Sequence, residues 1–316
     1  MTRWLARLCL LSTLFAFCVI LLGAYTRLKD AGLGCPDWPG CYGQVFAPAS
    51  KHEITKANDA YPTMPVDVGK AKTEMTHRYF AETLGSLIFL FAGLAFWQRR
   101  KLPLPNWLGP LLVILVLFQG LLGMWTVTLK LLPVVVMGHL LGGFCTLSLL
   151  WWAWLYFQKQ PDPLRGIPKY LQACGIIALL VLIGQIALGG WTSANYAALI
   201  CPDFPTCQGN WWPQMSHKLT AIHMGHRIGA LITLLVGIVL CILLWRQPQV
   251  WLKRFSLILL GLLLLQVTLG ISNIVFYLPL PIALAHHATA AILLLTLLAL
   301  NFFLYPVNRN RHDLVS

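Results

Sequence analysis

The chain has 316 residues, of which 58% are hydrophobic and only 10% charged. Soluble globular proteins carry about 25% charged residues, so this composition excludes a soluble enzyme and points to a protein embedded in a membrane. The formal net charge of +13 is accounted for by basic residues flanking membrane spans. No basic stripe with interleaved aromatics accompanies it, which argues against a nucleic-acid partner.

Windows of about 20 apolar residues, enough to cross roughly 30 Å of hydrocarbon, fall near 8–25, 78–97, 107–128, 134–157, 170–191, 222–245, 254–275 and 282–305. The expected fold is therefore an all-α membrane protein of eight transmembrane helices, arranged as two pseudo-symmetric four-helix bundles. The expected division is 1–157, a linker at 158–169 carrying Pro161, Pro163 and Pro168, and 170–316. The first window follows Arg3 and Arg7 and has the look of a signal peptide. Its length, the lack of a small-x-small cleavage site and the need of the repeat for that helix predict that it is retained.

Lysine and arginine in short loops set the orientation. Arg3 and Arg7, Arg99 to Lys101, Lys159, Arg165 and Lys169, Arg246, Lys253 and Arg254, and Arg309 and Arg311 share one side, while the opposite short loops hold little more than Lys130 and Lys218. Both termini are expected to be cytoplasmic, in a bacterial inner membrane.

In chain order, the first window runs into Gly23-Ala24-Tyr25-Thr26 and then Cys35-Pro36-Asp37-Trp38-Pro39-Gly40-Cys41. The second half repeats this as Gly190-Trp191-Thr192 and Cys201-Pro202-Asp203-Phe204-Pro205-Thr206-Cys207. Both pairs sit on the predicted outer side, where disulfides are permitted. The spacing suits neither a C-x-x-C knuckle nor a set with further ligands nearby, so a zinc site is the weaker rival. Such short loops gain little chain entropy from cross-linking; they shape a cap or transmit redox state. Cys9, Cys18, Cys145, Cys174 and Cys241 read as small buried apolar residues. The polar stretch 42–73 has no counterpart of equal length in the second half; it is a lid or an insertion.

Glu74-Met75-Thr76-His77-Arg78 returns as His223-Met224-Gly225-His226-Arg227. Each copy has a downstream histidine, His139 or His286, preceded at a constant interval by Gln119 or Gln266. Gly138, Gly142 and Gly143 around His139 leave a slot for a planar ligand. Two histidines on facing helices in each half suit a haem iron clamped from both sides. Proton relays and quinone sites also use intramembrane histidines, without needing this pairing. Arg78 and Arg227 are candidate partners for haem propionates. Glu74 stands where the second half has His223, and Glu82 lies deeper in the apolar run, where an ionisable group is costly. His287 projects about 100° from His286 around its helix.

The whole chain closely resembles the haem A synthase family. The resemblance is carried by the eight spans, the Cys-Pro-Asp-Trp-Pro-x-Cys loop, Glu-x-x-His-Arg, and the single histidines of the later helices. It implies an oxidoreductase that converts the C8 methyl of haem O to a formyl group by successive hydroxylation. It also implies haem b as cofactor on His226 and His286, substrate haem O on His77 and His139, Glu74 essential to the chemistry, and the loop cysteines Cys35, Cys41, Cys201 and Cys207 paired. Haem O synthase, cytochrome oxidase assembly factors and an unidentified electron donor are the partners this implies; homo-oligomerisation stays open. Two other classes compete: a di-haem membrane cytochrome carrying electrons from quinol, and a transporter built on repeats. The Glu74/His223 difference argues against the first, and the absence of broken, polar helix centres against the second.

Overall fold

The computed structural model describes residues 2–159 and 167–305. Most of the expected linker, including Pro161, Pro163 and Arg165, lies outside the described residues, as do Arg309 and Arg311. The described residues form nine α-helices: α1 Thr2–Leu28, α2 Lys51–Ala60, α3 Val68–Trp97, α4 Leu108–Thr128, α5 Pro133–Leu155, α6 Lys169–Ala194, α7 Lys218–Trp245, α8 Val250–Val275 and α9 Leu280–Leu304. All but α2 are long and apolar enough to cross a membrane; the shortest, α4, has 21 residues, roughly 30 Å at about 1.5 Å per residue. Only helices keep every backbone polar group satisfied in such segments without a closed barrel.

The chain forms two compact units, Met1–Leu150 and Trp151–Ser316, with the division inside α5. In the first, α1, α3, α4 and α5 pack in a ring. Phe15 of α1 stacks on Phe80 of α3 at 5.3 Å. A methyl placed on Gly109 of α4 would lie 3.6 Å from the Ala92 backbone of α3, and one on Gly138 of α5 would lie 3.5 Å from the Leu122 side chain of α4. The Cys9 thiol of α1 donates to the Leu150 carbonyl of α5 at 3.3 Å. The second unit closes in the same way. Ser256 of α8 donates to the Cys241 carbonyl of α7 at 2.8 Å, and Asn301 of α9 donates to the Gly175 carbonyl of α6 at 3.0 Å.

The helices begin and end beyond the apolar windows wherever capping chemistry outlasts hydropathy. α3 starts ten residues before its window, because the Asp67 side chain accepts from Lys70 N–H and so nucleates a polar turn that an apolar window cannot see. α2 lies in the stretch read as a lid or insertion. A Ser50/Glu53 capping box starts it, and the Ser-x-x-Glu pattern is its sequence signal. Cys9 and Cys241 are buried as expected, but Cys18 and Cys145 are exposed and Cys174 is half-buried; a thiol tolerates a lipid-facing position as readily as a core one.

The helices α1, α4, α6 and α8 share one terminal geometry. The N–H of Ala31, Leu131, Ala197 and Leu278 donates to the carbonyl of Thr26, Thr126, Thr192 and Asn273, at 2.9, 2.8, 2.9 and 2.7 Å. Asp30, Lys130, Tyr196 and Tyr277 take the left-handed conformation, with φ between 49° and 56°, that closes such a Schellman-type turn. The turn fixes where the following loop leaves each helix.

Substituting Ser50→Ala removes the side-chain acceptor of the α2 cap. Hydrogen exchange over residues 51–60 is expected to quicken about fivefold while exchange in α3 stays unchanged.

Candidate functional site

Four histidine rings lie against four glycines, each on the preceding long helix. A methyl on Gly23 of α1 would sit 3.0 Å from His77 Cε1, and one on Gly123 of α4 would sit 3.5 Å from His139 Cε1. In the second unit, Gly189 of α6 meets His226 at 3.0 Å and Gly270 of α8 meets His286 at 3.1 Å. Each glycine lies eight residues before the N–H that closes its helix, so one turn geometry places all four rings at the same depth. The ring that follows this rule on α9 is His286, not His287.

His77 and His139 project from α3 and α5, which lie across the first ring of helices from each other. Their ring centres are 6.4 Å apart and their planes meet at 83°. Two imidazoles holding one iron from opposite faces have centres roughly 6 Å apart: about 2 Å for each iron–nitrogen bond and about 1 Å from each nitrogen to its ring centre. In the second unit Gln185 Nε2 lies 3.0 Å from His226 Nδ1, and Gln266 Nε2 lies 3.3 Å from His286 Nε2. His226 and His286 are close enough to interact electrostatically. Nδ1 of His77, His139 and His286 is buried with no hydrogen-bond partner. Buried imidazoles with open nitrogens, held between helix backbones, fit the donor set of a haem iron. The glycines expected to leave a slot beside His139 instead receive neighbouring side chains: Gly138 takes Leu122, Gly142 takes Gln119 and Gly143 takes Ile20.

One turn outward from His77, about 4.5 Å along the axis, Glu74 is buried and ion-paired to Arg78. Nη2 to Oε1 is 2.5 Å, and only 9% and 6% of the two side chains are exposed, so solvent does not screen the pair. Glu74 Oε2 also accepts from Cys35 N–H at 2.9 Å. Gly34 makes that contact possible, because a methyl there would fall 2.5 Å from the Lys70 carbonyl carbon. The sequence suggests a propionate partner for Arg78 and Arg227; the structure gives both guanidinium groups backbone carbonyls of the cysteine loops. Arg78 donates to Asp37 O (3.1 Å), Pro39 O (3.2 Å) and Gly40 O (2.6 Å). Arg227 donates to Asp203 O (2.8 Å), Pro205 O (3.5 Å) and Thr206 O (2.7 Å), the positions matching those three, and to Cys201 O (3.0 Å). His223, at the place of Glu74, has its Nδ1 2.8 Å from the Ala197 carbonyl. Glu82 is exposed on α3 and takes no part in this cluster.

The cysteine sulfurs lie at bonding distance, 2.05 Å for Cys35–Cys41 and 1.96 Å for Cys201–Cys207, and all four residues are fully buried. Inside each loop an aspartate carboxylate organises the turn. Asp37 accepts from Tyr42 and Gly43 N–H at 2.6 and 2.8 Å; Asp203 accepts from Gln208 and Gly209 N–H at 2.6 and 3.0 Å. Gly43 and Gly209 adopt φ of 71° and 76°, where a side chain would be strained. The Thr206 hydroxyl, and then the Gly209 and Gln208 amides, hold the Asp203 carboxyl down at about 2. Burial and then the Asp37 carboxylate push the Tyr42 hydroxyl up.

Arg78→Met leaves the Glu74 carboxylate buried without its cation, which costs about 3–5 kcal/mol. Denaturant unfolding should show a larger loss than for Arg227→Met, which strips loop carbonyls and the Phe204 ring contact but leaves no carboxylate buried. Asp203 predicts an acid step. A carboxyl held below its unfolded value of 3.8 contributes stability above that value and loses it as pH falls through about 2. The NMR shifts of the Gln208 and Gly209 amides, which donate to that carboxylate, should therefore be constant from pH 7 to about 4, move below that, and lose the step in Asp203→Asn.

Residues 6–298 match the COX15-CtaA family model, described as cytochrome oxidase assembly protein. A Heme A synthase of Shewanella oneidensis is 46% identical, with 96% of each chain covered. Heme A synthases of Neorickettsia sennetsu and Shouchella clausii are 29% and 27% identical, covering 89% and 77% of this chain and 95% and 76% of their own. The chain thus belongs to the COX15-CtaA family of cytochrome oxidase assembly proteins.

Proposed function

We propose that this protein is a haem A synthase, oxidising the C8 methyl of haem O to a formyl group by successive hydroxylation. The observation that carries the reading is Glu74: a buried carboxylate one helical turn from a histidine pair whose 6.4 Å spacing fits one haem iron. The second unit has His223 in that place, so the units are not equivalent. On this reading His77 and His139 hold the substrate haem O, and His226 and His286 hold haem b as resident cofactor. Haem b, when bound there, would supply one-electron redox chemistry.

The protein's own residues divide the remaining work. The glycine contacts fix the four imidazoles, so the substrate ring enters at one depth and tilt. Glu74 accepts a proton, or stabilises positive charge, as the methyl carbon loses electrons. Arg78 keeps that carboxylate in place and ties it to the Cys35–Cys41 loop, which caps the site from the outer side. The apolar helices exclude water from the reacting edge. On this reading both termini face the cytoplasm of a bacterial inner membrane, an orientation that the basic short loops support. Partners on this reading are an electron donor, haem O synthase as the source of substrate, and oxidase assembly factors.

Glu74→Gln keeps the shape and removes the base. Haem A formation should fall by roughly 100-fold or more, with haem b content unchanged; full haem A formation would remove Glu74 from the mechanism. His77→Ala or His139→Ala should block conversion while leaving haem b bound, and His226→Ala or His286→Ala should lower haem b itself.

A further inference from the structure

Each cysteine loop leaves large apolar side chains uncovered. A short bridge follows the second cysteine: Cys41 N–H donates to Gln44 O at 2.8 Å, and Cys207 N–H donates to Asn210 O at 2.9 Å. The two residues after each bridge turn outward. Val45 and Phe46 are 70% and 68% exposed, and Trp211 and Trp212 are 75% and 74% exposed, so none of the four belongs to a core. Trp38 and Phe204, at matching positions of the two loops, are exposed as well. No charged residue occurs between 38 and 50 or between 204 and 216. The aspartates just before, Asp37 and Asp203, turn their carboxylates to loop amides.

The helices fix the level of these tips. The Phe46 ring centre lies 5.8 Å from that of Tyr79 on α3, the Tyr79 hydroxyl donates to the Val45 carbonyl, and Arg78 holds the Pro39 and Gly40 carbonyls. From Tyr79 to Trp97 α3 runs about 27 Å at about 1.5 Å per residue, close to the roughly 30 Å of a bilayer's hydrocarbon. Trp97 is exposed, and Arg99, Arg100 and Lys101 follow it, a combination that marks one membrane edge. Tyr79 therefore stands at the opposite edge, and the tip of the first loop with it. On α7, Arg227 holds the Thr206 carbonyl at 2.7 Å, and the stretch from Ile228 to Trp245 covers about 26 Å. Trp245 is exposed and Arg246 follows it.

We propose that Val45 with Phe46, and Trp211 with Trp212, are interface anchors whose partner is the lipid at the edge of the bilayer. Aromatic rings gather at this level in membrane proteins, where one edge of the ring meets water and the rest meets lipid. The loop backbone carries polar groups that hydrocarbon cannot satisfy, so the tips stay at the headgroup level and do not go deeper. An apolar edge without charge offers a soluble protein no electrostatic steering; lipid needs none. The anchors hold each loop down against its helix. In the first unit that hold continues through Arg78 to Glu74, so the bilayer itself steadies the buried carboxylate.

The test uses the full-length chain in phosphatidylcholine vesicles, with the photoreactive p-benzoylphenylalanine placed at Phe46 or at Trp212 and adducts read by mass spectrometry. The same probe at Trp97 is the lipid-facing reference, and at Lys56, exposed on α2, the solvent-facing one. The expected result is a phospholipid adduct at 46 and at 212 with the yield seen at Trp97, and none at Lys56. Yields as low as at Lys56, or adducts to a second copy of the chain in place of lipid, would overturn the proposal. Because the probe is itself apolar, a second measurement keeps the native rings. The emission that wild type has and the double variant Trp211→Phe, Trp212→Phe lacks should be quenched by brominated phosphatidylcholine and spared by acrylamide in the water. Quenching by acrylamide alone would show rings in solvent and overturn the anchor of the second loop.

Discussion

Everything around the histidines depends on a side chain meeting a bare backbone: four imidazole rings packed edge-on against four glycines. A β-carbon at Gly23, Gly189 or Gly270 would come within about 3 Å of its ring, closer than ordinary packing allows, so helix spacing and ring position are set together. The shared turn closing α1, α4, α6 and α8 then fixes the glycine relative to the loop beyond it. With those constraints in place, the centre of each ring of helices presents nitrogen donors in an apolar surround, which is what a haem iron requires and bulk lipid does not supply.

The cysteine loops are the second layer of the same design. Arg78 and Arg227 reach from the histidine helices into the loops and gather carbonyls at matching positions, so each loop is fastened one residue away from its histidine. A guanidinium suits this work because its planar donors bind several acceptors at fixed angles. Only in the first unit does the fork also hold a carboxylate. Burying Glu74 there is tolerable because Arg78 and the Cys35 amide satisfy it, and the outcome is a base held still beside the proposed substrate. In the second unit the Cys201 carbonyl completes the fork and His223 turns to Ala197, leaving no carboxylate near the rings.

Much of this was legible in the sequence, for reasons tied to particular residues. Runs of apolar residues located the eight spans; the constant interval from Gln119 to His139 and from Gln266 to His286, with His77 repeated at His226, paired the histidines. The residues of Glu74–Arg78 and His223–Arg227 showed where the halves differ. The start of α3 and the whole of α2 leave no mark in the apolar pattern, because capping by Asp67, Ser50 and Glu53 is local chemistry; Ser50-x-x-Glu53 is the one signal α2 carries. The use of Arg78 and Arg227 was also hidden: a cation beside a histidine suggests an anionic ligand, whereas loop carbonyls leave no trace in composition. The glycines around His139 misled for a similar reason, since a small residue signals close approach without naming what approaches; Gln119, Leu122 and Ile20 are what came.

The central claim is that one unit holds a resident haem and the other a haem to be converted. The most direct measurement is extraction and chromatography of the haems bound to the purified protein, expressed with and without haem O synthase. The account predicts haem b alone without the synthase, joined by haem O and haem A with it. Two equivalents of haem b under both conditions, with no haem A, would contradict it and favour a di-haem electron carrier.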